Sequence, residues 1–81
     1  MKVHVQFFSR LRELAGIPEM DLELPEGTKV TDLLDNLYAR VPALREWDKS
    51  LLVARGVEFV TRDQRLQSAD QISIMPPVQG G

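Results

Sequence analysis

VTDLLDNLYARV, residues 30–41, places its apolar side chains at the spacing of one face of an α-helix. The positions i, i+3, i+4, i+7 and i+11 are occupied by Val30, Leu33, Leu34, Leu37 and Val41. Asp32 and Asp35 lie near the start of the stretch, where the helix dipole favours negative charge. Pro42 ends the pattern, because proline cannot continue a helix. The stretch therefore predicts one main helix that packs an apolar face against the core and has no chemical role.

Two strands and a short helix are predicted before the main helix. Residues 2–8, KVHVQFF, and residues 20–24, MDLEL, alternate apolar and polar side chains, which indicates strands. Between them, residues 10–15 form a short helix with Ser9 as a suitable N-cap and Gly16 as its stop. The first part of the chain is therefore predicted as strand, helix, strand.

Three further strands are predicted after the main helix. Residues 51–55 and 57–61 are apolar runs on either side of Gly56, which suggests a tight antiparallel reversal. Residues 71–75, QISIM, alternate again, so that the two isoleucines point inward and Met75 points outward. An outward methionine at the end of a strand is an adaptable apolar contact group.

The order of these elements predicts an α+β fold. Strands grouped at both ends of the chain around one main helix suggest a mixed sheet wrapped over that helix. In this arrangement the first and last strands would be central neighbours and would pair in parallel. The globular domain is expected to cover residues 1–75.

Composition and charge limit the functions that the chain can have. At 81 residues it is one domain, and a net charge of −2 leaves no basic stripe, which argues against nucleic acid as a partner. The longest apolar run has four residues, so no membrane contact is expected, and the cytoplasm is the default location. The chain has no cysteine and one histidine, which argues against a thiolate or multi-histidine metal site. His4, on the polar face of its strand, is expected to be structural or solvated.

The last six residues, PPVQGG, predict an extended tail over residues 76–81. Pro76 and Pro77 hold φ at about −65° and remove two backbone donors, so that neither strand nor helix continues. Six extended residues reach about 20 Å. Gly80 and Gly81 have no side chain, so a carboxylate at Gly81 would be sterically bare and could enter a narrow active site of a partner enzyme. The alternative is that Gly-Gly stands there by chance.

These features resemble the ubiquitin-like β-grasp fold, and within it the chain is similar to the small-subunit family of molybdopterin synthase, whose members are sulfur carriers. The likeness runs along the whole chain. It is carried by VQFFSRLRELAG at residues 5–16, by residues 30–37, and by residues 72–81, which end in the family's Pro-Pro-Val-x-Gly-Gly. Two departures are Gly56, where many relatives have Asn, and Lys29, which replaces the usual Thr cap and predicts a helix start shifted towards Thr28 or Thr31.

The resemblance implies a mechanism centred on Gly81. An ATP-dependent activating enzyme would adenylate the Gly81 carboxylate, and a sulfur donor would displace AMP to leave a thiocarboxylate. The thiocarboxylate would then give its sulfur to a cyclic pterin precursor in molybdenum cofactor biosynthesis, with two loaded carriers consumed for each dithiolene. The chain would not be catalytic alone and would bind neither cofactor nor metal, since ATP is used by the activating partner.

The implied partners are the adenylating enzyme and a large catalytic subunit, joined with this chain in a heterotetramer of two large and two small subunits. The chemistry would occur at Gly81, with Gly80 beside it. The residues expected to bind partners are Phe8, Phe59, Met75, Pro76, Pro77 and Val78. Phe8 and Met75 follow from their outward positions, whereas Phe59 matches a family contact position and its strand face is ambiguous.

Three other functions remain open from the sequence. The first is a sulfur carrier of the thiamin pathway, a class that shares Gly-Gly but is shorter and lacks the opening of residues 5–16. The second is a ubiquitin-like protein modifier that conjugates Gly81 to lysines of target proteins. The third is a plain interaction domain, which would keep working without Gly81.

Overall fold

The structure is a computed structural model that describes residues 1–77, so that residues 78–81 lie outside the described part. The strands of the described part are β1 (Lys2–Phe7), β2 (Glu19–Glu23), β3 (Leu52–Arg55), β4 (Glu58–Phe59) and β5 (Gln71–Met75). Its helices are α1 (Arg10–Ala15), α2 (Val30–Arg40) and a 3₁₀ helix (Pro42–Trp47). None of these helices has both the length and the apolar character needed to cross a bilayer.

The strands form one mixed sheet in the order β2-β1-β5-β3-β4. β1 and β5 run parallel, with Val5 beside Ile72 and Phe7 beside Ile74. The other neighbouring pairs are antiparallel. The predicted parallel pairing of the first and last strands is confirmed. The architecture is the α+β fold that the element order predicted, and it is the ubiquitin-like β-grasp that the resemblance implied.

One buried cluster joins α2 to the sheet. Leu33 and Leu37 of α2 have no exposed surface, and the strands contribute buried residues to the same cluster: Val3, Val5, Phe7, Leu22, Val53, Ile72 and Ile74. Val41, the last residue of the predicted apolar face, follows the end of α2 and is half-buried against the cluster. The helix therefore packs as its residue spacing predicted.

The start of α2 does not use a threonine cap. Lys29 is the N-cap, and its backbone N–H donates to the Asp32 carboxylate at 3.1 Å. The hydroxyl of Thr28 is occupied elsewhere, donating to the C=O of Pro25 at 2.7 Å. The helix starts at Val30, so the predicted shift of its start towards Thr28 or Thr31 is wrong, because Asp32 satisfies the backbone donor of Lys29.

The start of α1 departs from the prediction. Ser9 has φ 51° and ψ −129°, and its side chain makes no capping hydrogen bond. An N-cap residue normally has extended backbone geometry, so the prediction that Ser9 caps α1 through its side chain is wrong. Only the backbone C=O of Ser9 contributes, accepting the N–H of Arg12 at 3.1 Å. Gly16 closes α1 with φ 77°, as predicted.

β3 and β4 form the predicted antiparallel hairpin around Gly56. Gly56 has a positive φ of 59° and Val57 does not, which is the geometry of a two-residue type II′ turn. The second strand is shorter than predicted, because Val57 occupies the second turn position and β4 contains only Glu58 and Phe59. The prediction of a strand over residues 57–61 is therefore wrong at both ends.

A network of polar side chains connects α2 to Asp48 and Arg62, which follow it in the chain. The Tyr38 hydroxyl donates to Asp48 Oδ1 at 2.5 Å, and Arg62 Nη1 donates to the same oxygen at 3.0 Å. Burial, together with the Asp48 carboxylate, raises the pKa of Tyr38, and the hydrogen bond from Tyr38 lowers the pKa of Asp48. This network holds the segment before β5 in place.

Candidate functional site

The two faces of the sheet differ. On β1 and β5, alternate residues are buried in the core, and the residues between them are half-buried on the opposite side. We call this opposite side the outer face. The strand register places one row of residues across it: Gln6, Ser73, Ala54 and Phe59. Met75 is on the same face at the end of β5, because it lies two residues beyond Ser73.

Apolar residues surround the point where β5 ends. Phe8 is 41% exposed, and its backbone N–H donates to the C=O of Ile74 at 3.1 Å, which places it beside the end of β5. Met75 is half-buried on the outer face, and Pro76 and Pro77, which follow it, are half-buried too. We call Phe8, Met75, Pro76 and Pro77 the tail root. The structure thus brings together four of the six residues predicted to bind partners.

Local sequence explains why the tail root forms at this point. The turn at Ser9 takes the chain from β1 into α1 immediately after Phe8, so Phe8 does not continue the strand. Pro76 has no N–H to extend the ladder, so β5 ends at Met75. The ends of two neighbouring parallel strands, β1 and β5, therefore lie side by side.

Phe59 lies on the outer face but outside the tail root. It is 69% exposed and pairs directly with Ala54, which settles the strand face that the sequence left ambiguous. The register puts it two residues down the sheet and two strands across from Met75, about 7 Å and 10 Å by ordinary sheet spacings. The apolar surface therefore extends from the tail root towards the β3–β4 hairpin.

The other predicted site residues are Val78, Gly80 and Gly81. All three lie outside the described residues. The described part of the chain ends at Pro77, and the predicted division between a domain of residues 1–75 and a tail of residues 76–81 stays a prediction.

The opposite end of the outer face is polar. His4 Nδ1 lies 2.7 Å from Asp21 Oδ1, and His4 Nε2 lies 3.5 Å from Glu19 Oε1. The hydrogen bond to Asp21, assisted by the charge of both carboxylates, raises the pKa of His4. A cavity of about 360 Å³ opens beside this pair and is lined by Lys2, His4, Asp21, Ser68, Ala69 and Gln71. His4 joins β1 to β2, which is the structural role expected of it.

Val57 is an exposed apolar residue that the sequence analysis missed. It is fully exposed in the hairpin turn, whereas the apolar run at residues 57–61 had placed it in a strand. The available signal was Gly56, because glycine at the first position of a two-residue turn leaves the next residue in the turn as well.

The described residues form a sheet face whose two ends differ in polarity. Within residues 1–77, no group of three His, Asp or Glu side chains is placed to hold a metal ion. The outer face instead combines an apolar end, at the tail root and Phe59, with a polar end at His4. Such a face, with aromatic and methionine side chains at one end, has the composition of a protein interface.

Comparisons with known proteins agree with this architecture. The chain is 33% identical over 81 residues to the molybdopterin synthase sulfur carrier subunit of Arabidopsis thaliana, covering 100% of this chain and 84% of the relative. Among solved structures, it is similar to a putative molybdopterin converting factor, subunit 1, from Pyrococcus furiosus. That likeness has 34% identity and a TM-score of 0.88, and it covers 96% of this chain and 99% of the other.

A second solved structure is the small archaeal modifier protein 1 from Methanosarcina acetivorans. It has 32% identity and a TM-score of 0.81, with 99% of this chain and 96% of the other covered. The sequence profile of the ThiS family matches residues 5–81, from the middle of β1 to the terminal Gly-Gly. The chain therefore belongs to the ThiS family.

Proposed function

We propose that this chain is the sulfur-carrier subunit of a molybdopterin synthase. The observation that carries the proposal is the tail root, an apolar surface placed where the chain leaves the sheet towards Gly80 and Gly81. The similarity to sulfur carrier subunits over the whole chain supports it, and favours the molybdopterin pathway over the thiamin pathway. A large partner would recognise the tail root while the tail enters its active site.

The chemistry of the proposal takes place at the Gly81 carboxylate. A terminal carboxylate has a pKa of about 3.3–3.7, so at neutral pH it is ionised and a poor electrophile. Transfer of AMP from ATP would make it a mixed anhydride and release pyrophosphate. A donor of hydrosulfide would then form a C–S bond as the C–O bond to AMP breaks, leaving the thiocarboxylate. Gly80 and Gly81 leave this carbon unshielded, because neither has a Cβ.

Two partner enzymes follow from this chemistry. One activates Gly81 with ATP, so the nucleotide binds to that enzyme and not to this chain. The other is the large subunit, which supplies the catalytic side chains and pairs with this chain in a heterotetramer of two large and two small subunits. Both reactions are proposed to occur in the cytoplasm, where ATP is available.

The test is the intact mass of the chain after incubation with ATP, an activating enzyme and a sulfur donor. We expect a mass gain equal to one oxygen-to-sulfur exchange, located at Gly81 by fragmentation. Deletion of Gly81 is the control, and we expect it to abolish the gain while the circular dichroism spectrum stays unchanged. Absence of a gain with several activating enzymes would contradict the proposal.

A second candidate function is protein modification, favoured by the likeness to the archaeal modifier protein. The same activated Gly81 could be attacked by a lysine amine instead of by sulfur, giving an isopeptide bond and AMP. Digestion of cell extract with trypsin followed by mass spectrometry would detect lysines joined to the terminal glycine. Finding such adducts would support this function, and their absence beside a sulfur-loaded carrier would exclude it.

A further inference from the structure

Val57 is the most exposed large apolar side chain of the described residues, with its whole surface open. It stands at the second central position of a type II′ turn, where Gly, Asn, Asp and Ser are the usual residues. It is not part of the buried cluster, so the fold gains nothing from a valine in preference to a serine. A fully exposed β-branched apolar side chain at a turn, two residues from the exposed Phe59, is available for a contact outside the chain.

The hairpin carries Val57 and Phe59 two residues apart, and both are largely exposed. The turn lies near the start of β5, because the Gly56 N–H donates to the C=O of Gln71 at 2.9 Å. Gln71 and Met75 are separated by four residues of strand, which is about 13 Å. Val57 is therefore about 13 Å along the sheet from Met75 and one to two strand spacings, about 5–10 Å, across it, with Phe59 between the two.

A protein interface of ordinary size would cover both the tail root and Val57. A standard protein complex buries about 800 Å² on each partner, which corresponds to a disc of about 16 Å radius. An interface centred on the tail root would therefore reach the hairpin turn without being unusually large. Next to the turn, Arg55 is paired with Asp70 at 3.6 Å, so its charge is already partly compensated. Val57 and Phe59 give this end of the hairpin two exposed apolar side chains, beside the exposed Glu58.

We infer that Val57 is a contact residue for the large subunit of the synthase, and that this subunit has an apolar pocket for the β3–β4 turn. The inference rests on the proposed function and extends its interface from the tail root to the far end of the hairpin.

The test measures the affinity of the purified large subunit of the same organism for wild type and three variants of the full-length chain. We expect Val57→Asp to weaken binding by at least about tenfold, because it would place a charge in an apolar pocket. Val57→Ile, which keeps the apolar character, should bind within about threefold of wild type. Ala39→Asp is the matched control, since Ala39 is exposed on α2, on the other side of the sheet, and gains the same charge.

A photocrosslinking residue placed at position 57 gives a second measurement, with the same residue at position 39 as its control. We expect a crosslink to the large subunit from position 57 alone. The inference would be overturned if Val57→Asp bound within about twofold of wild type and position 57 gave no crosslink. The proposed function would still stand in that case if the wild type gained sulfur. If the wild type neither bound the large subunit nor gained sulfur, the proposed function itself would fail and the inference with it.

Discussion

At the scale of single residues, Ser9 combines backbone strain with a position beside the tail root. Its φ of 51° and ψ of −129° are an arrangement that glycine adopts freely and that a residue with a Cβ rarely adopts. Strain of this kind costs about 1–3 kcal/mol and persists where the surrounding structure enforces it. Here the core residues Phe7 and Leu11 lie on either side of Ser9, and both are buried. The turn between them therefore cannot relax.

The strain at Ser9 gives the first prediction. Ser9→Gly should raise the free energy of unfolding by about 1 kcal/mol, because relief of strain exceeds the extra entropy of a glycine in the unfolded chain. The measurement is urea unfolding followed by circular dichroism. Ser9→Ala is the control, and it should give no such gain, since it removes the hydroxyl and keeps the Cβ. Equal stabilisation by both variants would show that the hydroxyl, not the backbone, is the cause.

His4 gives a prediction about pH. Its pKa in the folded protein is raised above the ordinary value of 6.5 by Asp21 and Glu19, so folding favours the protonated ring. The stabilisation is therefore complete below pH 6.5 and is lost as pH rises through the raised value. We expect His4→Gln to lower the melting temperature more at pH 6 than at pH 8.5. An NMR titration should show the His4 pKa falling back in Asp21→Asn, and an unchanged titration there would rule out the pairing.

Single residues also show what the sequence could predict about the site. The outward positions of Phe8 and Met75 follow from strand alternation, which is a local property, and both lie at the tail root. The face of Phe59 could not be decided, because it depends on pairing with Ala54 across a hairpin. The partners of His4 could not be identified either, since Asp21 and Glu19 come from a different strand.

At the scale of elements, α2 and β4 show the same contrast between what local sequence determines and what depends on pairing with another strand. The period of α2 is set by its own residues, and the helix was predicted to within one residue at its C-terminal end. β4 pairs with β3 over Glu58 and Phe59 alone, with one further hydrogen bond from the Val60 N–H to the C=O of Val53 at 2.9 Å, and Val57 lies in the turn. Apolar content alone therefore predicted a longer strand than the ladder supports. Ser9 failed as a cap for a related reason, because residue type does not determine φ.

The importance of α2 for stability can be tested at Leu37, which has no exposed surface. Leu37→Ala should lower the free energy of unfolding by about 2–5 kcal/mol through lost burial and an unfilled cavity. Since a chain of this size has a total of about 4–12 kcal/mol, the variant should be close to unfolding at room temperature. Thr31→Ala, on the exposed side of the same helix, should change the value by less than about 0.5 kcal/mol. Similar losses for both in urea titrations would contradict this packing of α2.

At the scale of the whole molecule, the element order was enough to predict a mixed sheet over one helix, with the first and last strands as central parallel neighbours. The order of the other strands was not predicted. What the order could not supply is the division of the outer face into an apolar end and a polar end. That division depends on the register of β1 against β5 and of β3 against β4.

The independence of domain and tail is a prediction for the whole molecule. The buried cluster is formed by residues 3–74, so a chain that stops after Pro77 should keep its free energy of unfolding within about 0.5 kcal/mol. Chemical denaturation of the truncated and full-length chains under the same conditions measures the difference. A loss of about 2 kcal/mol or more would mean that residues 78–81 pack against the domain. The same truncation should abolish sulfur loading completely, since it removes Gly81.

The parallel pairing of β1 and β5 has a mechanical consequence. β1 begins near the N-terminus and β5 ends at Met75, so their outer ends point in opposite directions along the sheet. A force applied between Pro76 and Met1 would load all the hydrogen bonds between these strands together, in shear, instead of peeling them apart one by one. Tension on the chain at Pro76, with the N-terminal end held, would therefore be resisted by the whole β1–β5 ladder at once.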